Sequence, residues 1–409
     1  MADEPSDMSQ YVLLPPHGLR ATASTSDLEV RDFLVSAEDA IGARGLNVEG
    51  RQIGLNVIDS ISPDGAKLVE ASPEAALAIR SLRPSVRVVP LHWYAPAVVR
   101  PREVERGPDL PQQAATPGTI TLKVVSKSDQ SPIVGAFVVA FVDFTARSGA
   151  QGVTDASGQV SLALGGPAVA LQRLYVYPLG AYWTLIKKDF AATDGLSLAL
   201  VPLDLAYTDS LRNFYGDAKV SVGAGVTVGV IDTGVANHPD LVIAGGANTV
   251  PGEDPTAFGD NGQHHGTHVA GIIAARGTPP QGLRGVAPGV TLRAYRVFGQ
   301  GNGSASSFAI AKAIDLAVTD KCDLLNLSLG GGPTDPVLKA AVDAARAGGS
   351  LCIIAAGNGS RAPVSFPAND ELAIAVSAMG RTGTFPTSAA EADDVAAPFG
   401  SDKADFIAD

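Results

Sequence analysis

A chain of 409 residues has room for roughly two to four domains and several hydrophobic cores. Its 42 acidic against 30 basic residues, a net charge of −12, argue against a nucleic-acid partner, because phosphate binding needs clustered Lys and Arg. A charged fraction of 18% with 45 glycines and few aromatics suits a tightly packed α/β protein rather than a disordered one, and no apolar run approaches the roughly 20 residues of a membrane span.

The first ten residues are acidic and polar, without the basic start and apolar stretch of a secretory signal. That reading leaves the protein in the cytoplasm, exported by another route, or begun at a different start. Residues 10–100 read as a small α+β unit. Tyr11–Leu14 is a strand-like run, 27–43 is helix-like, and Lys67–Glu70 is a further strand. Ser72-Pro73-Glu74 supplies a cap, a proline at the first helical position and an early acid for a helix over Ala75–Leu82. Val86–Pro90 returns as a strand. This strand–helix–strand ending resembles the prodomain of subtilisin-like proteases, which implies that Val86–Leu91 is the extended segment that enters the peptide groove; an unrelated ferredoxin-like domain has the same pattern. Residues 101–117, charged and then Pro- and Gln-rich, read as a linker.

Residues 118–203 alternate at period two: Ile120, Leu122 and Val124, then Val160, Leu162 and Leu164, then Leu196, Leu198 and Leu200. Turn residues lie between them at 128–132 and 154–158. The order Pro-x-x-Gly-Ala-x-Val, then Thr-Asp-x-x-Gly-x-Val, is similar to the transthyretin-like sandwich modules called carboxypeptidase regulatory-like domains, which implies an appendage without catalytic residues. From about 206 to 409, buried-strand runs (225–231, 292–297, 324–329, 351–356) alternate with helical stretches (266–275, 306–319, 336–347), the pattern of a parallel sheet covered by helices on both faces. Cys322 and Cys352 enter two of these strands, either as buried free thiols or as a disulfide between neighbours.

Asp232 ends the first of those strands, at the edge where open α/β sheets bind ligands. A carboxylate there can hold an imidazole in one tautomer and stabilise its protonated form; alone, an Asp before Thr-Gly also caps a turn. His265 opens a helix 33 positions later, where a base can reach both acid and nucleophile. His264 and His268 stand at the i, i+4 spacing of a helical zinc pair, but the glutamate that follows the first histidine in that motif is replaced by His265, and no cysteine lies near.

Asp-Thr-Gly-Val and His-Pro-Asp-Leu at 232–241, His-Gly-Thr-His-Val-Ala-Gly at 265–271, Gly-Val-Ala-Pro at 285–288, Asn-Leu-Ser-Leu-Gly at 326–330 and Ala-Ala-Gly-Asn at 355–358 together resemble the subtilisin-like serine proteases, the subtilases. The resemblance implies an α/β fold: a subtilisin-like parallel sheet, incomplete here, preceded by the α+β prodomain-like unit and the all-β sandwich. It makes Asp232 the orienting acid, His265 the general base and Asn358 the side-chain donor to an oxyanion, a role that fits an amide N–H placed where negative charge develops. Gly301, Asn302 and Gly303, with Ser328, Leu329 and Gly330, become the edges that pair with an extended peptide.

Polypeptide substrates and an intramolecular prodomain are the implied partners, and no cofactor is required. Asp240 matches a position that often binds structural calcium, yet 276–281 brings no Asn or Asp. The serine is the missing part. Ser360, Ser365, Ser377, Ser388 and Ser401 follow Asn358, none of them within a Gly-Thr-Ser-x-Ala segment. The expectation is therefore a serine endopeptidase whose nucleophile lies beyond Asp409, so that the chain as written is inactive. Two other readings compete with it: a non-catalytic peptide-binding subtilase relative, and an inhibitor or binding module formed by the prodomain and sandwich.

Overall fold

The computed structural model describes residues 8–21, 28–42, 44–98, 102–107, 118–206, 210–359, 362–393, 395–399 and 402–408. The chain divides into two compact units, residues 1–98 with 217–377 and residues 99–216 with 378–409. Most of the expected linker, 101 and 108–117, lies outside the described residues. Among the described residues no helix is long and apolar enough to cross a membrane.

The first unit opens with β1 (Ser9–Leu14), α1 (Leu28–Asp39), β2 (Arg44–Val48), β3 (Arg51–Ser60), β4 (Lys67–Ala71), α2 (Pro73–Leu82), β5 (Arg87–Pro90) and β6 (Trp93–Pro96). Strands β1 to β5 form one antiparallel sheet in the order β2-β3-β4-β1-β5. In α1, Val30, Phe33, Leu34 and Ala37 are buried, the i, i+3, i+4, i+7 stripe of a helix lying on a core. As the sequence suggests, Ser72 caps α2, its hydroxyl accepting the Ala75 N–H. Alternation along β1 serves two cores. Leu13 faces α1 and α2, while Val12 and Leu14 join the cluster of Phe308, Ile310 and Ile314. Ion pairs Arg20–Asp315 and Lys312–Asp59 flank that second contact.

The sandwich lies in the second unit: β7 (Thr119–Ser126), β8 (Phe137–Asp143), β9 (Ser148–Val153), β10 (Gln159–Ala163), β11 (Ala168–Tyr177), β12 (Leu185–Thr193) and β13 (Ser197–Leu200), followed by the short α3 (Ser210–Tyr215). Two sheets, β10-β7-β13 and β12-β11-β8-β9, enclose the alternating residues named above together with Val138, Ala140, Leu174 and Val176.

The first unit then continues with β14 (Thr227–Asp232), β15 (Ile243–Asn248), α4 (His265–Ala274), β16 (Thr291–Arg296), β17 (Ala305–Ser306), α5 (Ser307–Thr319), β18 (Leu324–Leu327), β19 (Leu329–Gly330), α6 (Pro336–Ala347), β20 (Leu351–Ala355) and β21 (Ile374–Val376). A six-stranded parallel sheet runs β15-β16-β14-β18-β20-β21. Helices α5 and α6 cover one face over Ile231, Leu325, Leu327 and Ile354, and α4 covers the other over Val228, Val230, Leu292 and Ala294. Cys322 and Cys352 are buried free thiols, which removes the disulfide reading.

The last strands, β22 (Met379–Arg381), β23 (Val395–Phe399) and β24 (Asp402–Ala408), form an antiparallel sheet within the second unit. Residues 384–393 are fixed to the sandwich. The Ile186 N–H donates to the Ser388 carbonyl (2.8 Å), the Thr184 hydroxyl to Glu391 (2.8 Å) and the Tyr175 hydroxyl to Asp393 (2.9 Å), while Lys188 pairs with Asp393.

Candidate active site

Asp232 is the last residue of β14, fully buried, and its Oδ1 accepts the N–H of Thr233 at 2.7 Å. His265 is the first residue of α4, and its Nδ1 lies 2.7 Å from the same Oδ1. Two features bring helix start and strand end together. The Thr233 hydroxyl accepts the Gly266 N–H at 2.9 Å, pinning the first turn of α4. Gly266 itself leaves no room for a side chain, since a Cβ there would collide with the Gly234 carbonyl and stand 3.1 Å from Asp232 Cβ.

The geometry makes Asp232 an acceptor for a proton on His265 Nδ1, so that Nε2 is the nitrogen turned to proton exchange. Burial disfavours the imidazolium, but the hydrogen bond and charge of Asp232, together with a hydrogen bond to the Ala97 backbone, outweigh it and raise the pKa of His265. The other two histidines turn elsewhere. His264 is exposed with positive φ and faces Asp260 at 3.1 Å. His268 has a lowered pKa from burial and the neighbouring His265 charge.

A groove leads to this pair, and it is filled. Strand β6 lies between two edges, pairing antiparallel with β17 (Ala305 opposite Tyr94) and with β19 (Gly330 opposite Ala95). The register extends at both ends, the Ser307 N–H donating to the His92 carbonyl (2.8 Å) and the Ala97 N–H to the Ser328 carbonyl (2.7 Å). Ser328, Leu329 and Gly330 therefore line the extended segment. Gly301–Gly303 does not pair with it. Gly301 has φ +67° and Asn302 donates to the Gly299 carbonyl at 3.0 Å, so this stretch closes on itself as a turn and the pairing moves to Ala305–Ser306. Asn302 instead lines a cavity of about 240 Å³ beside Trp93.

The inserted segment is also a different one. Arg87–Pro90 is held in the small sheet by β1, with Val88 and Val89 buried, and the next residues enter the groove. A second short run, Trp93-Tyr94-Ala95, after the proline that ends β5 was the signal for it.

Asn358 follows β20 in an exposed turn, at the edge of the sheet that carries Asp232. Of the later serines, Ser365 lies close to Gly330 and Gly357, Ser377 is exposed and Ser388 meets the sandwich; Ser360 and Ser401 lie outside the described residues. Asp240 does not fit a calcium ion. One carboxylate oxygen already accepts the Leu283 N–H at 2.9 Å, the loop packs so closely that a Cβ at Gly277 would lie 2.5 Å from the carboxyl carbon, and calcium needs about six to eight oxygens.

Compared with known families, residues 223–405 match the subtilase family. This stretch is a subtilase domain. Over 162 residues it is 43% identical to Subtilisin DY of Bacillus licheniformis, a match covering 38% of this chain and 57% of that protein. It is 45% identical over 157 residues both to Subtilisin Savinase of Lederbergia lenta and to an alkaline protease of Alkalihalobacillus alcalophilus, covering 38% of this chain and 56% and 40% of those proteins. The chain thus spans about half the length of the relatives it matches. Within the subtilase domain, sequence motifs pointed to Asp232, His265, Asn358 and one groove edge; they passed over Thr233, Gly266 and the Ala305–Ser306 edge, whose roles depend on backbone geometry.

Proposed function

We propose that this chain is part of a subtilisin-like serine endopeptidase, with residues 8–98 as its prodomain seated on the subtilase domain. The observation that carries this reading is the Ala97 backbone against His265, at the end of a strand clamped between two edges. A peptide held that way presents one carbonyl, that of Ala97, to the acid–base pair, so the bond between Ala97 and Val98 is the processing site. In the reaction His265 takes the proton of a serine hydroxyl, Asp232 holds its tautomer and stabilises the imidazolium, and Asn358 donates to the oxyanion. Strand pairing reads backbone, which suits polypeptide substrates of varied sequence. The sandwich at 118–203 is a carboxypeptidase regulatory-like appendage that contributes no catalytic group.

The 409 residues contain no Gly-Thr-Ser-x-Ala segment, so the nucleophile comes from sequence outside them and these residues alone do not cleave peptides. The experiment is fluorophosphonate labelling. The 409-residue chain is expected to remain unlabelled. A chain extended with a Gly-Thr-Ser-x-Ala helix and the remainder of a subtilase domain is expected to label, and His265→Ala in it to cut turnover on the order of 10⁶-fold, the loss known for subtilisin's own triad. Specific labelling of one serine in the 409-residue chain would contradict the missing nucleophile. An extended chain that folds without labelling would favour the peptide-binding reading.

A further inference from the structure

The sandwich holds a second docked segment besides residues 384–393. Strand β9 is the last strand of the sheet β12-β11-β8-β9, so that sheet leaves one of its edges unpaired. Residues 102–107 take that edge. The Glu105 N–H donates to the Arg147 carbonyl at 2.9 Å and the Gly149 N–H to the Arg106 carbonyl at 3.1 Å. The Ser148 hydroxyl donates to the Gly107 carbonyl at 2.9 Å, and Arg106 stands opposite Ser148 in parallel register. Further back, the Val104 N–H donates to Gln151 Oε1 at 2.6 Å and the Arg102 N–H to the Tyr177 hydroxyl at 3.3 Å.

Side chains make this contact selective. The Arg102 guanidinium carbon stands 5.5 Å from the centre of the Phe144 ring and 5.6 Å from that of Tyr175. A planar cation suits such a place better than a compact ammonium, because it can lie flat on an aromatic face. Val104 packs on Val139, Phe141, Tyr175 and Ile186, the apolar residues that this sheet turns away from the sandwich core. Residues 102–107 therefore close two liabilities at once, an open backbone edge and an aromatic patch.

We propose that the edge of β9 and the aromatic face beside it form a strand-accepting site on the sandwich. Its ligand is an extended segment carrying an arginine and, two residues on, an apolar side chain. Its occupant, 102–107, anchors the N-terminus created when the bond after Ala97 is broken. The position of that bond rests on the peptidase reading; the site on the sandwich does not. Hydrolysis there adds water across the bond, leaving a carboxylate on Ala97 and an amine on Val98. Only the four residues 98–101 separate that amine from Arg102, so it stays within about 14 Å of the anchor. An arm running loose to residue 117 would be far longer and open to trimming. The sandwich thus holds the new end of the processed chain where the precursor already held it.

The full chain tests the site before any cleavage. Amide exchange at Glu105 and Gly149 should be slowed on the order of 10²-fold against the unstructured rate, and trypsin should cut after Arg106 correspondingly slowly. Arg102→Ala takes the cation off both rings, and Gln151→Ala removes the acceptor for the Val104 N–H. Neither residue belongs to the sandwich core, so the amides of β11 should keep their protection in both variants. Each variant is expected to speed exchange at Glu105 and the cut after Arg106 about fivefold. Glu105 exchanging at the unstructured rate while β11 stays protected, or rates unchanged in both variants, would overturn the proposal. In the extended chain the processed form should begin at Val98 and keep the protection at Glu105. Protection lost on processing, or a processed N-terminus beyond Gly107, would overturn the anchoring. Protection at Glu105 in an extended chain that never labels would uphold the site and overturn the peptidase reading alone.

Discussion

The two ends of the subtilase domain behave as different materials. Residues 223–377 complete their own secondary structure: six parallel strands with α4 on one face and α5 and α6 on the other, the inner strands β14, β16, β18 and β20 burying their apolar side chains under those helices. Residues 378–405 belong to the same family match but sit in the other unit, pairing antiparallel among themselves and fixed to the sandwich by polar contacts at Ser388, Glu391 and Asp393. Family membership is a property of sequence; which partner a segment takes depends on which buried surface is within reach. The first stretch is held by a large hydrophobic area, the second by its own strand pairing, a few hydrogen bonds to the sandwich and the small contact of Ala390 with the Phe141–Tyr175 cluster.

That contrast can be broken by substitutions of graded size, and the two tryptophans report on it separately, Trp93 in the first unit and Trp183 in the second. The largest effect is expected for Phe308→Ala. Phe308 is fully buried on α5, and its removal should cost the first unit about 3–5 kcal/mol, seen as an earlier Trp93 unfolding transition. A Trp183 transition moving by the same amount would show that the units unfold as one.

Asp393→Ala should do the reverse. It removes the partners of Tyr175 and Lys188 and is expected to cost the second unit about 1.5–3 kcal/mol, read at Trp183. The pH dependence has a definite sign. Burial works to raise the pKa of Asp393, but Lys188 and Tyr175 outweigh it and hold the carboxyl below its ordinary value. Its contribution is therefore full above an unfolded pKa of about 4 and lost as pH falls through the lower folded value. Wild type should lose Trp183 stability across that acid window, and Asp393→Asn should lose less.

Gly266→Ala tests the join between α4 and β14, where the added methyl would collide with the Gly234 carbonyl; a cost of about 1–3 kcal/mol is expected, with the His265–Asp232 hydrogen bond broken in the NMR spectrum. The smallest change is Asp232→Asn, which should leave the fold intact and lower the pKa of His265. In wild type that pKa is raised, so the stabilisation from the pair is full below about pH 6.5 and fades as pH rises through the folded value. An imidazole titration by ¹⁵N NMR reads both.

Much of the fold was legible because its signals are local. Period-two runs marked three of the seven sandwich strands, β7, β10 and β13, to within about two residues, and Pro336 and Ser72 marked helix starts. Asp232 and His265 were legible because each sits at an element boundary within a distinctive motif. The groove was half legible. Ser328–Gly330 carries a motif, whereas Ala305–Ser306 is merely the extended entry to α5, and Gly301–Gly303 looked open because glycines do not reveal that Asn302 folds the turn back on itself. The placement of 378–405 was not legible at all, because a match to a family does not say which core a segment adopts.

The account depends most on the filled groove, and amide hydrogen exchange at Ala97 in the full-length chain tests it most directly. The Ala97 N–H donates to the Ser328 carbonyl at 2.7 Å, as the last rung of a strand held on both edges. Its exchange should be slowed on the order of 10³-fold against the unstructured rate, together with that of Ser307, which donates to His92. Exchange of Ala97 at the unstructured rate, while Val69 in the neighbouring sheet stays protected, would show the small unit folded and the groove empty, and would contradict the account.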